Sequence, residues 1–217
     1  MKPLTPGLLA LLALLNLPAI RAAEPAPELG ALGTLLLEER FDGATLPAGW
    51  TRNTGVLAVR DGVLRAGERA ADKHLGAFRK ALPLQDALVR LDFTLEGARA
   101  FHLGFDPAPG QLKKQGHLFS VMITATVWSI TEHNNKSDPA SKNTVRARAS
   151  TPFERGRTYT LELEMKGEQV IARVTGKEPL RAQAPDFRVR KPGLVFRVGG
   201  ADGQEVVVDN VRVWQLR

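Results

Sequence analysis

The feature that most limits what this chain can fold into is strict two-residue alternation. Val89, Leu91, Phe93 and Leu95 alternate with Arg90, Asp92 and Thr94. Tyr159, Leu161, Leu163 and Met165 alternate with Thr160, Glu162 and Glu164. Successive side chains of a strand point to opposite faces, so each stretch buries one face and wets the other. On that pattern Glu162 and Glu164 read as a solvated face. No helix-period segment longer than about ten residues breaks the pattern. Further strands are expected at 35–41, 56–60, 63–66, 76–82, 100–105, 117–124, 126–132, 144–149, 169–174, 193–198 and 205–214. Asp61-Gly62, Gly167-Glu168 and Ala201-Asp202-Gly203-Gln204 supply hairpin turns. Many short strands without crossover helices predict an all-β, antiparallel β-sandwich. In the last strand the apolar register switches from Val206 and Val208 to Val211 and Val213, which predicts a β-bulge at Asp209-Asn210.

The sandwich does not occupy the whole chain. Residues 1–22 read as a signal peptide: Lys2 is the positive start, Gly7–Leu15 the apolar stretch, and Ile20-Arg21-Ala22 the cleavage site. An uncleaved anchor is the alternative, but the apolar run is shorter than the ~20 residues a spanning helix needs. No later stretch is long enough, so no stable membrane insertion is expected after cleavage. Residues 23–34 read as a flexible Pro-rich lead, and 35–217 as one domain. The sequence has 217 residues and no cysteine. That excludes a disulfide framework, a Cys-ligated zinc site and a thiol nucleophile. Export to the cell envelope, periplasm or exterior is the expected localisation, with stability supplied by core packing. Net charge falls from +7 to +5 once Lys2 and Arg21 are removed. This modest, scattered excess is no nucleic-acid signature, but it attracts anions weakly. Basic clusters stand at Lys113-Lys114, at Arg146 and Arg148, and at Arg188, Arg190 and Lys191.

Several stretches carry a resemblance. Glu39-Arg40-Phe41-Asp42-Gly43, Leu46-Pro47-Ala48-Gly49-Trp50 and Val59–Leu64 resemble the start of a concanavalin A-like jelly roll of the laminin-G/glucanase type. Val208–Trp214 is similar to the last strand of that group. Ala71–Ala77 and Gly116–Val121 resemble secreted bacterial 3-keto-disaccharide hydrolase domains, loosely called family-16 glycoside hydrolases. The resemblance covers about residues 35–217 and implies a jelly roll with a carbohydrate partner; it is less specific for activity, since this architecture hosts binding modules and enzymes alike. A family-16 glycosidase would carry a Glu-x-Asp-x-x-Glu strand. The nearest candidate, Arg90–Glu96, lacks its first acid, and Asp92 and Glu96 would lie roughly 13 Å apart along the strand. Two carboxylates at ~5–5.5 Å, as a retaining glycosidase needs, are not offered.

The four histidines are the better chemistry candidates. His74, in Asp72-Lys73-His74, reads as a general base oriented by Asp72 with Lys73 as a sugar contact, or as a surface-loop residue. His117 reads as a second base or a rim residue. His102 shares a face with Gly104 and Asp106, and Glu132 and His133 open a polar loop; all four of His102, Asp106, Glu132 and His133 are candidate substrate contacts. Trp128 is the candidate sugar platform, with core packing as the alternative. No histidine pair has metal-ligand spacing, so no metal or cofactor is expected. The expected partner is a neutral or anionic polysaccharide. Three functions remain open: carbohydrate binding, a hydrolase or lyase on a (3-keto-)disaccharide-like substrate, and a structural module of the envelope. Oligomeric state is open.

Overall fold

The computed structural model describes residues 26–217, so the expected signal peptide and the first residues of the expected lead lie outside the described residues. Fifteen strands follow in order: β1 Leu32–Glu39, β2 Trp50–Thr54, β3 Val56–Arg60, β4 Val63–Gly67, β5 Gly76–Leu84, β6 Ala87–Glu96, β7 Ala100–Phe105, β8 Phe119–Thr124, β9 Val127–Glu132, β10 Thr144–Ser150, β11 Thr158–Lys166, β12 Gln169–Val174, β13 Leu180–Gln183, β14 Lys191–Gly199 and β15 Glu205–Leu216. The helical elements among the described residues are two 3-10 turns, Ala70–Asp72 and Pro185–Arg188.

The strands form two antiparallel sheets. The first runs β13-β12-β11-β6-β15-β4-β3, with β1 on β15 as well. The second runs β10-β9-β8-β7-β14-β5-β2. The inner faces meet in one core. Leu91, Phe93, Leu161 and Val208 enter it from the first sheet; Phe78, Phe101, Val121 and Phe196 enter from the second. The architecture is the expected all-β sandwich. The bulge is where the apolar switch put it. The register of β15 on β6 shifts between Asp209 and Arg212, and Asn210 has φ 50°. There β15 also changes neighbours, from β4 at residues 205–208 to β1 beyond the bulge.

Two expectations are corrected on the outer face of the first sheet. Glu164 is not solvated but fully buried. One carboxylate oxygen accepts the Glu28 and Leu29 backbone N–H groups at 2.7 and 2.8 Å, and the other pairs with Arg173. The lead is therefore tied down from Glu28 onward, and Glu28 itself pairs with Arg173 and Arg181. Buried donors and acceptors are normally satisfied, and here each partner satisfies the other. Replacing Glu164 by Leu removes the acceptor for both amides. Hydrogen exchange at Glu28 and Leu29 should then quicken tenfold or more while β6 amides keep their protection. Unchanged exchange would mean that something else holds the segment.

Candidate functional site

The site lies on the outer face of the second sheet. Phe101, Leu103 and Phe105 of β7 point into the core, so alternation sends His102 and Gly104 outward. Register then decides their neighbours. His102 pairs with Arg197 of β14 on one side and Met122 of β8 on the other. Gly104 lies between Val195 and Ser120, and Val195 lies opposite Arg79 of β5. On β9, Ser129 and Thr131 continue the two rows. An open sheet face would leave such polar residues wet. Here His102, Arg197, Ser120 and Thr131 are 7%, 4%, 0% and 4% exposed, so the face is recessed and covered by its own side chains and the loops at its end.

One hydrogen-bonded network fills the recess. His117 Nδ1 lies 2.6 Å from Asp106 Oδ1, and Arg79 Nη2 donates to Asp106 Oδ2 at 3.1 Å. Burial would raise the Asp106 carboxyl, but the His117 and Arg79 contacts outweigh it and hold the group at about 2. Ionised Asp106 can only accept, so the His117 ring donates from Nδ1 and turns Nε2 away. Ser120 Oγ lies 2.8 Å from His133 Nε2 and 3.3 Å from Arg197 Nη1. A guanidinium can only donate, so Ser120 accepts from Arg197, while the His133 tautomer sets the direction of the other bond. Burial, then the Arg197 charge, push His133 down to about 3, so the ring is uncharged near neutral pH. The same two causes take His102 down to about 4. The His117 and His133 rings meet edge to face at 5.6 Å.

Gly104 makes room for this arrangement. A Cβ there would sit 2.6 Å from Ser120 Oγ and 2.9 Å from Arg197 Nη1. Beside the network is a cleft of ≈ 160 Å³ lined by Thr51, Arg79, Ala81, Asp106, Gly193 and Val195 among others. Its floor is apolar and its wall is the Arg79–Asp106 pair.

The structure thus brings His102, Asp106, His117 and His133 together. Glu132 stands at the same end of the sheet, next to His133 and opposite Phe119, but is paired with Arg146 at 2.6 Å and Lys114 at 3.6 Å. Asp72, Lys73 and His74 lie elsewhere. Asp72 accepts from Gly55 N–H and pairs with Arg69, so it does not orient His74. His74 Nδ1 meets the Leu75 carbonyl at 2.8 Å, and the ring is exposed. It precedes Gly76, which pairs with Val198 opposite Phe101. Phe101 is five residues before Asp106, roughly 17 Å along the sheet. Trp128 is not an exposed platform: it is 0% exposed in the core. Lys191 leaves the basic surface too. It is buried, its amine donates to the Gln85, Phe187 and Val189 carbonyls, and burial lowers it to about 8.

Arg79, Arg197 and Ser120 were not singled out by sequence. An arginine alternating with apolar residues reads as a wet face, as Arg197 does between Phe196 and Val198. The available signal was Gly104, a strand glycine in phase with His102 and Asp106, since such a glycine marks close approach by another group.

Comparison with solved structures supports the fold. No protein-family model matches the sequence, and no curated protein does. Among solved structures, the chain is similar to the carbohydrate-binding module CBM66 from Bacillus subtilis, at 16% identity and TM-score 0.61, over 77% of this chain and 96% of that one. It is similar to SCLam, a non-specific endo-beta-1,3(4)-glucanase from family GH16, at 16% identity and TM-score 0.60, over 86% and 94% of the two chains. A Bacillus licheniformis beta-glucanase matches at 13% identity and TM-score 0.55, over 85% and 99%. These likenesses show a jelly-roll sandwich. In such folds function resides in the site rather than the architecture.

Proposed function

We propose that this protein is an exported carbohydrate-binding β-sandwich, and that the sugar docks in the cleft beside the network on the second sheet. The observation that carries this reading is the cleft itself: an apolar floor of Ala81, Gly193 and Val195 beneath a polar wall of Arg79 and Asp106, with His117 bonded to Asp106 behind it. A sugar ring offers C–H faces to the first and hydroxyls to the second. Small-molecule sites are built in this way, from an apolar surface with a few fixed polar groups. The cleft is smaller than the ~300–1,000 Å³ of drug-sized pockets, which suits a single ring. The CBM66 and glucanase likenesses support a carbohydrate partner, and the leader-like residues 1–22 support export.

A glycan array, followed by titration calorimetry on its best oligosaccharide, tests the assignment. His117→Ala and Arg79→Ala should each weaken binding about tenfold, since a hydrogen bond involving a charged group is worth ~1.5–3 kcal/mol. His74→Ala should bind as the parent does. Loss of binding in the His74 variant with retention in the other two would move the site to the 72–74 loop.

The Asp106–His117 pair favours a second reading, hydrolysis or lysis of a (3-keto-)disaccharide-like substrate with His117 as base. In its neutral form His117 presents Nε2 to the outside while Asp106 fixes Nδ1, which is how a general base is oriented. His74, the other candidate base, has no such carboxylate partner among the described residues. The two-carboxylate route finds no support here. Asp92, from the strand nearest the glycosidase pattern, belongs to the other sheet and bonds Thr160 and Asn210. Product release from a 3-keto-disaccharide, abolished in His117→Ala, distinguishes this reading from binding alone.

A further inference from the structure

Resting on the sugar-binding reading, one imbalance in the recess goes further and concerns the kind of sugar. Two guanidinium groups share one carboxylate. Asp106 Oδ2 accepts from Arg79 and Oδ1 meets His117. Arg197 Nη2 stands 3.6 Å from Oδ1, and it is buried without a hydrogen-bond partner among the described residues. The residue as a whole is 4% exposed. Arginine cannot shed its proton inside a protein. A buried cation whose hydrogen bonds are incomplete is costly to hold. The histidines beside it do not add negative charge, and burial keeps His102 and His133 uncharged near neutral pH.

Farther along the face the charges balance. Lys114 and Arg146 both pair with Glu132, and Asp186 stands 3.9 Å from Lys114. The described network of Arg79, Arg197 and Asp106 therefore carries net positive charge around a cleft shaped for a small ring. Attraction to an anion is strengthened where the cation is withdrawn from water.

We propose that the recess is specific for an acidic saccharide, one bearing a carboxylate or sulfate oxyanion that pairs with Arg79 and lies in the field of Arg197. Arg79 is the accessible partner, with a side chain 37% exposed, and it is held in place by Asn53 at 2.6 Å. Arg197 stands behind it and compensates the ligand charge without needing direct contact. The apolar floor holds the ring.

The test is calorimetry of the whole chain with oligosaccharides of equal length and linkage in neutral, uronate and sulfated forms, taken from an array containing all three. An acidic form should bind at least tenfold tighter than its neutral counterpart, and the preference should shrink as salt is raised. The uronate and sulfate arms show which oxyanion fits. Arg197→Met should erase the preference without lowering the melting temperature, because replacing an under-compensated buried charge with an apolar side chain of similar size is commonly neutral or stabilising. Arg79→Met, at a more exposed position, gives the same readout should the first variant fold poorly. Equal affinity for neutral and acidic forms would overturn the acidic preference and leave sugar binding standing. Absence of binding to every form would overturn both.

Discussion

Between pH 7 and pH 4.5 the protein should lose on the order of 2 kcal/mol of stability for each of two buried histidines. His102 and His133 are held near 4 and 3 by burial and by the Arg197 charge. In the unfolded chain each returns to about 6.5. Over this window the unfolded state binds protons that the folded state refuses, so stability falls as pH falls. Asp106 acts lower down. Its depressed carboxyl contributes stability above about pH 4 that is lost as pH drops toward 2. The loss between 7 and 4.5 is therefore mainly that of the histidines, because lowered carboxyls such as Glu28 and Glu38 contribute only toward its lower end. Urea denaturation at the two values measures it. His102→Asn, which keeps a polar side chain but cannot titrate, should remove about half of the difference. A midpoint that does not move with pH would mean that these rings are open to water and the recess is not as closed as described.

The physical reason this site was only partly legible lies in the difference between periodicity and pairing. Periodicity is local. It gave β6 and β11 within two residues of their ends, and the register switch at Val208/Val211 located the bulge. It passed over β2, where Trp50 is the only buried side chain, and β13, which is four residues long. Pairing is not local. His102, Asp106, His117 and His133 each drew attention on chemical grounds, yet nothing in one sequence says that β14 lies between β5 and β7. That placement brings Arg197 over Gly104 and Arg79 to Asp106. His74 drew attention for a neighbour, Asp72, that the fold commits to Arg69 and Gly55 instead. Glu164 was misread for a related reason. Alternation described its face correctly but not the segment at Glu28 and Leu29 that covers it. What a strand's outer face meets is decided by distant chain.

Trp128→Ala should be the most damaging single substitution on the second sheet, costing ~3–5 kcal/mol. Trp128 sits on β9 between Ile123 of β8 and Ala149 of β10, with its ring in the core and 0% exposed. Removing it leaves a cavity that flanking strands, fixed by their ladders, cannot collapse into. Against a total of ~5–15 kcal/mol for a typical domain the loss is large, and at this size it should lower Tm by roughly 10 °C or more. Trp128→Phe should cost less than the Ala substitution. It preserves much of the apolar volume and removes Nε1, which is buried without a hydrogen-bond partner among the described residues. Differential scanning calorimetry of the two variants, with sugar binding measured well below each Tm, separates a core role from a platform role. A core residue gives large stability losses with binding retained by the Phe variant. An Ala variant that melts like the parent but no longer binds sugar would instead put the indole in the ligand's path.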